Sequence, residues 1–327
     1  MSDKQCKRLT NLKVAVLAGG IGSERPVSLL SGQTIYASLQ EAGIEAVISD
    51  ITPTNTRILD DKTIDVFFLA LHGQFGEDGG VQTLLEQRHL AFTGSGAEAS
   101  RQAFDKIASK EAFVKAGANV AQQIIVGPQD TEQTLLKKLA AFSGRVVVKP
   151  ARQGSSVGVE IVNTAEAAAT KAVQCFKTFG DCMIEAFIKG REITVGIVNG
   201  TALPIIEIRS KAVFYDYNAK YLADTTEYLF DTITDAALVK RIQQTAMDCF
   251  GVLNCRHLSR VDLILTDDGV PYVLEINTLP GFTSHSLLPM AARKAGIPTP
   301  ELCRQIVEAA WNDRTPPLTP GVRKHSL

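Results

Sequence analysis

No apolar run in the 327-residue chain is long enough to cross a bilayer, so a membrane span is not expected. The N-terminal stretch MSDKQCKRLTN is polar and lacks the apolar centre of a secretory signal. A large charge of either sign is also absent: 34 Lys and Arg stand against 35 Asp and Glu, net −1. Without a basic excess, neither nucleic acid nor an anionic membrane is an expected partner. The six cysteines (Cys6, Cys175, Cys182, Cys249, Cys255 and Cys303) form no Cys-x-x-Cys pair. That argues against structural zinc and a disulfide scaffold, and fits reduced thiols in a cytoplasmic protein. Neither Gly-x-x-x-x-Gly-Lys-Ser/Thr nor Gly-x-Gly-x-x-Gly occurs, so two familiar phosphate-binding loops are excluded.

What is present is a globular composition, 45% hydrophobic and 21% charged, in a chain long enough for two or three domains. Residues 12–18 (LKVAVLA) form an apolar run ending at Gly19-Gly20, and a helix pattern follows from Val27 to Glu41. Residues 44–50 and 64–71 are strand-like. This alternation predicts an α/β layer with a mainly parallel sheet, whose loops Gly19–Glu24 and His72–Gly80 lie at the strand ends where ligands bind. A helix is expected over 98–115, then strands at 145–149, 157–162, 182–188 and 192–198, with a helix over 164–178. Asn199-Gly200 signals a hairpin turn. A polar, aromatic loop (209–230), a helix (235–250), a hairpin (260–276) and further helices complete three consecutive α/β or α+β units. The tail from Thr315, with three prolines, is expected to be poorly ordered.

The hairpin carries the sharpest chemistry. If Asp268-Gly269 is a two-residue type I′ loop, Asp262 faces Glu275 and Arg260 faces Asn277. Val261, Leu263, Leu274 and Ile276 then point to the opposite, apolar face. Two like charges directly opposite destabilise a hairpin. A bound magnesium removes that cost, because it takes a sparse set of hard oxygen ligands completed by phosphate and water. The Gly/Ser-rich loop Pro150–Gly158, after the strand ending in Lys149, offers backbone N–H groups and hydroxyls to phosphate. Lys106 sits in a helix pattern, and Glu185 and Glu192 interrupt otherwise apolar strands. Nucleotide hydroxyl or amino groups are one reason for carboxylates there.

Taken together these segments resemble the D-alanine–D-alanine ligases of the ATP-grasp superfamily, over residues 12–312. The motifs are G-S-E-R-P-V-S (22–28), A-L-H-G-Q-F-G-E-D-G (70–79), T-G-S-G (93–96), V-V-K-P-A-R-Q-G-S-S-V-G (147–158), F-Y-D-Y-N-A-K-Y (214–221) and L-E-I-N-T-L-P-G-F-T-S-H-S-L-L-P (274–289). The resemblance implies a three-domain fold: an N-terminal parallel-sheet substrate domain (1–103), a small central domain (104–190) and a C-terminal domain (191–327), with ATP between the last two. It implies that Glu24 holds the ammonium of the first D-alanine, with His72 beside it. It makes Lys106 and Lys149 phosphate ligands, and Glu185 and Glu192 the adenine-side and ribose acids, with Ser156, Ala186 and Ile188 completing the ATP site. Ser155 links Glu24 to Tyr221 of a closing loop, whose Lys220 reaches the γ-phosphate. Arg260 stabilises the oxyanion, and Gly281, Ser286 and Leu287 form the second subsite.

Asp262, Glu275 and Asn277 are the implied metal ligands, for two magnesium ions that manganese can replace, with a monovalent cation such as potassium as an optional addition. A homodimer is implied as well. The expected reaction joins two D-alanines through a D-alanyl phosphate, for peptidoglycan precursors. Two departures stand out: residue 186 is Ala where many relatives have Lys, and the loop exit Tyr228–Asp231 lacks a proline common there. D-alanyl-D-lactate synthesis or another carboxylate–amine ligation is the alternative within this chemistry. A nucleotide-binding protein without turnover is the alternative outside it. An ATPase assay with and without D-alanine separates all three.

Overall fold

The computed structural model describes residues 11–210 and 226–314. Strand β1 (Lys13–Gly19) is buried almost throughout, as a central parallel strand covered on both faces must be. It pairs in parallel with β2 (Glu45–Ile51) on one side and β3 (Val66–Leu69) on the other. Helix α1 (Arg25–Glu41) begins with Pro26, whose fixed φ and missing N–H suit a first turn. Helix α2 (Gly80–Gln87) follows β3. Because β1 and β3 run the same way, the loops carrying Glu24 and His72 leave one edge of the sheet together.

The expected helix over 98–115 is two helices, α3 (Ala97–Phe104) and α4 (Lys106–Lys115). Asp105 stands between them in extended conformation, and its Oδ1 accepts the N–H groups of Ile107 and Ala108 at 3.0 and 3.2 Å. Such a cap satisfies the orphan donors of a new helix and so favours a fresh start. Beyond it lies an antiparallel four-stranded sheet ordered β4 (Gln123–Val126), β7 (Cys182–Ala186), β5 (Val146–Lys149), β6 (Glu160–Val162). The strand expected over 157–162 is cut to three residues, because Ser155 and Ser156 adopt left-handed φ of 50° and 59° and a turn closes from Val157 N–H to Gly154 O. Helices α5 (Glu132–Leu139) and α6 (Ala165–Phe179) cover one face of this sheet through an aliphatic core.

The third sheet is antiparallel, ordered β11 (Thr226–Leu229), β10 (Ile206–Ser210), β8 (Arg191–Val198), β12 (Leu258–Leu265), β13 (Pro271–Asn277), with β9 (Thr201–Ala202) also on β8. Asn199 and Gly200, at φ 48° and 73°, make the expected β8–β9 turn. Helix α7 (Ala236–Val252) packs on this sheet. Helices α8 (Leu287–Lys294) and α9 (Thr299–Asn312) return to the N-terminal unit, sharing one core with β1, α1 and β3. Phe68 meets Phe282 edge to face at 5.8 Å. A second core that includes Phe75 and Leu279, with the His72–Leu279 hydrogen bond, joins the 72–79 loop to the segment after β13. Among the described residues no helix is long and apolar enough to cross a membrane.

The β12–β13 hairpin departs from expectation twice. Leu265 pairs with Pro271, so the loop is the three residues Asp267-Asp268-Gly269, with Gly269 at φ 78°. A bulge then skips Leu274, and Leu263 pairs with Val273. The two one-residue shifts cancel, so Asp262 faces Glu275 and Arg260 faces Asn277. Their consequence is local: Val273, not Leu274, joins the buried core, and Leu274 turns to the cavity described next.

Candidate active site

Every predicted site residue within the described range lines one of two adjoining cavities; Lys220 and Tyr221 lie outside that range, as does the tail from Thr315. The larger, of about 470 Å³, lies between the four-stranded and six-stranded sheets. Its walls include Lys106, Lys149, Ser156, Glu185, Ala186, Ile188, Glu192, Asp262 and Glu275. Val147, Ile161, Phe187, Ile208, Ile264 and Leu274 supply apolar surface. The chain crosses from one sheet to the other between β7 and β8, which is why Ala186 and Ile188 reach the cavity. Ala186 N–H donates to Gln122 O at 2.9 Å.

The Gly/Ser loop is fastened at its root. Ala151 N–H donates to Asp181 Oδ1 at 2.8 Å, Ala151 O accepts Lys106 N–H at 3.0 Å, and Arg152 Nε donates to Asp105 Oδ2 at 2.9 Å. Lys106 Nζ reaches Gln153 O at 2.7 Å and Glu275 Oε2 at 3.0 Å. Glu185, only 2% exposed, is gripped by two lysines: Lys149 Nζ at 2.7 Å on Oε2, and Lys110 on Oε1. Burial pushes the Glu185 carboxyl up, but Lys149 and Lys110 outweigh it and hold it below the usual carboxylate value.

On the hairpin, Asp262 is the hub. Arg260 donates to both of its oxygens at 2.8 Å, a fork that fixes guanidinium and carboxylate in one plane. Thr194 Oγ1 donates to Asp262 Oδ1 at 2.6 Å, and Asn277 Nδ2 to Oδ2 at 3.0 Å. Among the described residues no group of three or more His, Cys, Asp or Glu is placed to hold a metal. The donor set here is two carboxylates and an amide, which suits magnesium when phosphate oxygens fill the remaining positions.

The smaller cavity, of about 60 Å³, is walled by Glu24, His72, Ser155, Arg260, Glu275, Asn277, Gly281, Ser286 and Leu287, among others. Glu24 stands at the N-cap of α1, yet its side chain makes no capping bond. Its Oε1 instead accepts Ser155 Oγ–H at 2.5 Å. Glycine is required at 73, where φ is 64° and a Cβ would lie 2.6 Å from Glu24 Oε2. His72 is buried, and its Nδ1 can only donate to Leu279 O, at 3.1 Å; Nε2 then accepts from Ser31 Oγ at 3.3 Å. Burial depresses its pKa despite the nearby Glu24 carboxylate, so the ring is a neutral, fixed tautomer. Ser286 Oγ accepts Thr283 N–H at 2.8 Å and does not cap α8. The first turn of α8 thus starts at the wall of the smaller cavity without a side-chain cap from Ser286.

Three residues escaped the sequence reading. Lys110 lies one turn beyond Lys106 on α4, a spacing that could have flagged it. Thr194 is an unremarkable strand threonine. Glu77 lies inside the quoted 70–79 motif, without a role assigned there. It lines the smaller cavity, and its Oε2 accepts Gly73 N–H at 2.8 Å. Burial, then the Glu24 charge, push its carboxyl up to about 8; the Gly73 bond opposes this, Glu275 adds to it, and Arg260 opposes it.

Two antiparallel sheets closing on one charged cavity define the ATP-grasp class. Two family models match the chain: "D-ala D-ala ligase N-terminus" over residues 55–95 and "D-ala D-ala ligase C-terminus" over 113–308. The D-alanine–D-alanine ligase of Methylacidiphilum infernorum is 40% identical over 301 residues, covering 91% of this chain and 95% of that one. A solved D-alanine–D-alanine ligase from Bacillus anthracis superposes with TM-score 0.81 at 38% identity, covering 93% of this chain and 98% of that one. A second structure from the same organism, complexed with ATP, gives TM-score 0.80 at 35% identity, with the same coverage. The chain belongs to the D-alanine–D-alanine ligase family.

Proposed function

We propose that the chain joins two D-alanine molecules at the expense of ATP, releasing ADP and phosphate, and that it does so in the cytoplasm for peptidoglycan precursor synthesis. One observation carries the reading: Glu275 stands in the wall of both cavities. A triphosphate whose terminal phosphate reaches that end of the larger cavity meets the carboxylate of a small amino acid in the smaller one. The family membership supports the same assignment.

In this reading Lys149 and Lys106 bind the phosphates. Asp262, Glu275 and Asn277 would hold magnesium, which supplies charge neutralisation at the transferring phosphoryl group. Glu24, fixed by Ser155, takes the ammonium of the first D-alanine, and neutral His72 closes that side of the subsite. The carboxylate attacks the γ-phosphorus, the bond to ADP breaks, and a D-alanyl phosphate forms. The second D-alanine lays its carboxylate on the start of α8, near Gly281, Ser286 and Leu287. Its amine attacks the carbonyl, phosphate leaves, and one proton is lost from nitrogen. Arg260, aimed by its fork with Asp262, offsets the charge that develops on the tetrahedral oxygen. Carboxylate and triphosphate repel each other, so cations must converge at the seam between the cavities. Tyr221 and Lys220, which the family resemblance assigns to the same reaction, lie outside the described residues.

The test is ADP release measured with D-alanine, L-alanine and no amino acid, with the dipeptide quantified. Release that depends on D-alanine and matches dipeptide formation is expected. ADP release indifferent to D-alanine, or preferring L-alanine, overturns the assignment.

A further inference from the structure

Lys110 is a fully buried lysine that the reaction as described does not use. Its ammonium touches Glu185 Oε1, while Lys149 Nζ takes Oε2 at 2.7 Å. The two lysines differ in what else they can reach. Lys149 and Glu185 line the larger cavity; Lys110 stands behind Glu185 and is not part of the wall. A phosphate in that cavity therefore competes with Glu185 for Lys149 but cannot draw off Lys110. If Lys149 were the only partner, nucleotide binding would strand Glu185, 2% exposed, as a buried unpaired anion, and such a group neutralises by taking a proton.

We propose that Lys110 is a positioning residue: a fixed counter-charge that keeps Glu185 ionised while Lys149 changes partner from Glu185 to the nucleotide phosphate. This rests on the larger cavity's being the ATP site. The groups facing Glu185 are Lys110 from α4 and Lys149 from β5, with Lys106 one turn from Lys110 on α4. Burial, then the Lys149 charge, push the Lys110 ammonium down to about 8, while Glu185 works to keep the proton on.

Binding of the β,γ-imido analogue of ATP with magnesium is measured by calorimetry at pH 7, where Lys110 carries its charge, in two buffers of different ionisation enthalpy, which counts protons taken up. Wild type tests the cavity assignment: no binding removes that reading, and the inference with it. If wild type binds, Lys110→Met is expected to bind roughly ten- to a hundredfold more weakly, the loss of a buried charge-assisted contact. It is also expected to take up close to one more proton per analogue bound than wild type. Lys110→Arg should count protons as wild type does, and Lys110→Met/Glu185→Gln should lose the extra proton. An unchanged proton count in Lys110→Met, or an extra proton that persists in the double variant, overturns the proposal. If Lys110→Met does not fold, recovery of folding in the double variant supports it, because the stranded carboxylate was the fault. A double variant that also fails to fold makes Lys110 a packing residue and overturns it.

Discussion

The larger cavity takes most of its walls from strands, whereas the smaller one is walled mainly by loops drawn together from distant segments. Val147, Lys149, Glu185, Asp262, Ile264 and Glu275 stand on β-ladders whose register fixes which side chains share a face. Glu24, His72, Ser155, Gly281 and Ser286 stand on loops and at helix starts, held by single bonds between remote residues: Ser155 to Glu24, His72 to Leu279, Phe282 N–H to Ser31. Each cavity holds one residue of the left-handed serine pair, Ser155 at φ 50° in the smaller and Ser156 at φ 59° in the larger. Strand walls suit a ligand held by many contacts; loop walls suit one that must be oriented to within a bond length. Substitutions should therefore weaken nucleotide binding gradually in the first cavity and misplace D-alanine abruptly in the second.

Glu275 is the residue that breaks the contrast, since it belongs to both. Glu275→Gln is expected to lower ADP formation by roughly 10²–10³-fold, the scale of losing one transition-state electrostatic partner. Circular dichroism should be unchanged, because glutamine keeps the size of the side chain and an oxygen for Lys106 Nζ at the cavity wall. Near-normal turnover at ordinary magnesium would detach the hairpin from the chemistry.

The second variant confines damage to the loop-built pocket. Removing the Ser155 hydroxyl takes from Glu24 a charge-assisted hydrogen bond worth about 1.5–3 kcal/mol, or roughly ten- to a hundredfold. Ser155→Ala should raise KM for D-alanine by that factor with KM for ATP little changed. Ser155→Gly loses the same hydroxyl but relieves the left-handed backbone, so it should be more stable than the alanine variant by about 1 kcal/mol. Equal D-alanine KM values for the two variants, with different thermal midpoints, separate the hydroxyl from the strain. A rise in ATP KM as large as that for D-alanine would show that the two cavities are not independent.

How much of this was legible in the sequence follows the same division. The strand-built features were readable because period-two alternation and one glycine turn fix faces: Asp262 opposite Glu275 came from counting outward from Asp268-Gly269. That count reached the right pairing through a turn one residue too short and an unseen bulge at Leu274, since a bulge leaves no mark in a run as apolar as Val273–Leu274. The loop-built contacts were not readable from local pattern, because nothing along the chain connects Ser155 to Glu24 across 131 residues or His72 to Leu279 across 207. They entered only through the family resemblance. Asp105 as a helix break was missed because the helical pattern continues on both sides of it. Lys110 and Glu77 were missed because a charged residue gives no sign of its partners until they are folded around it.

The most gradual expected effect sharpens the comparison most, because buried Glu185 and half-buried Glu77, the enclosed carboxylates of the two cavities, respond to pH in opposite senses. In the larger cavity, Lys149 and Lys110 overcome burial and hold Glu185 below its usual value. Its folded form binds fewer protons than the unfolded chain, so its stabilising contribution is present above the unfolded pKa and is lost as pH falls through the depressed folded one. In the smaller cavity, burial together with Glu24 and Glu275 raises Glu77 from 4.5 to about 8, against Gly73 N–H and Arg260. Here the folded form keeps a proton that the unfolded chain gives up above 4.5. The contribution of Glu77 is complete below that value and is lost as pH rises to about 8. Between those limits the slope approaches one proton, about 1.4 kcal/mol per unit of pH. Glu77→Gln keeps an oxygen for Gly73 N–H and cannot ionise. Urea unfolding from pH 5 to 8.5 should therefore show the variant gaining stability relative to wild type as pH rises, with little difference at pH 5. A difference between the two that does not vary with pH would mean that Glu77 is ionised in the folded protein, and that the loop-built pocket, like the strand-built cavity, compensates its buried charge.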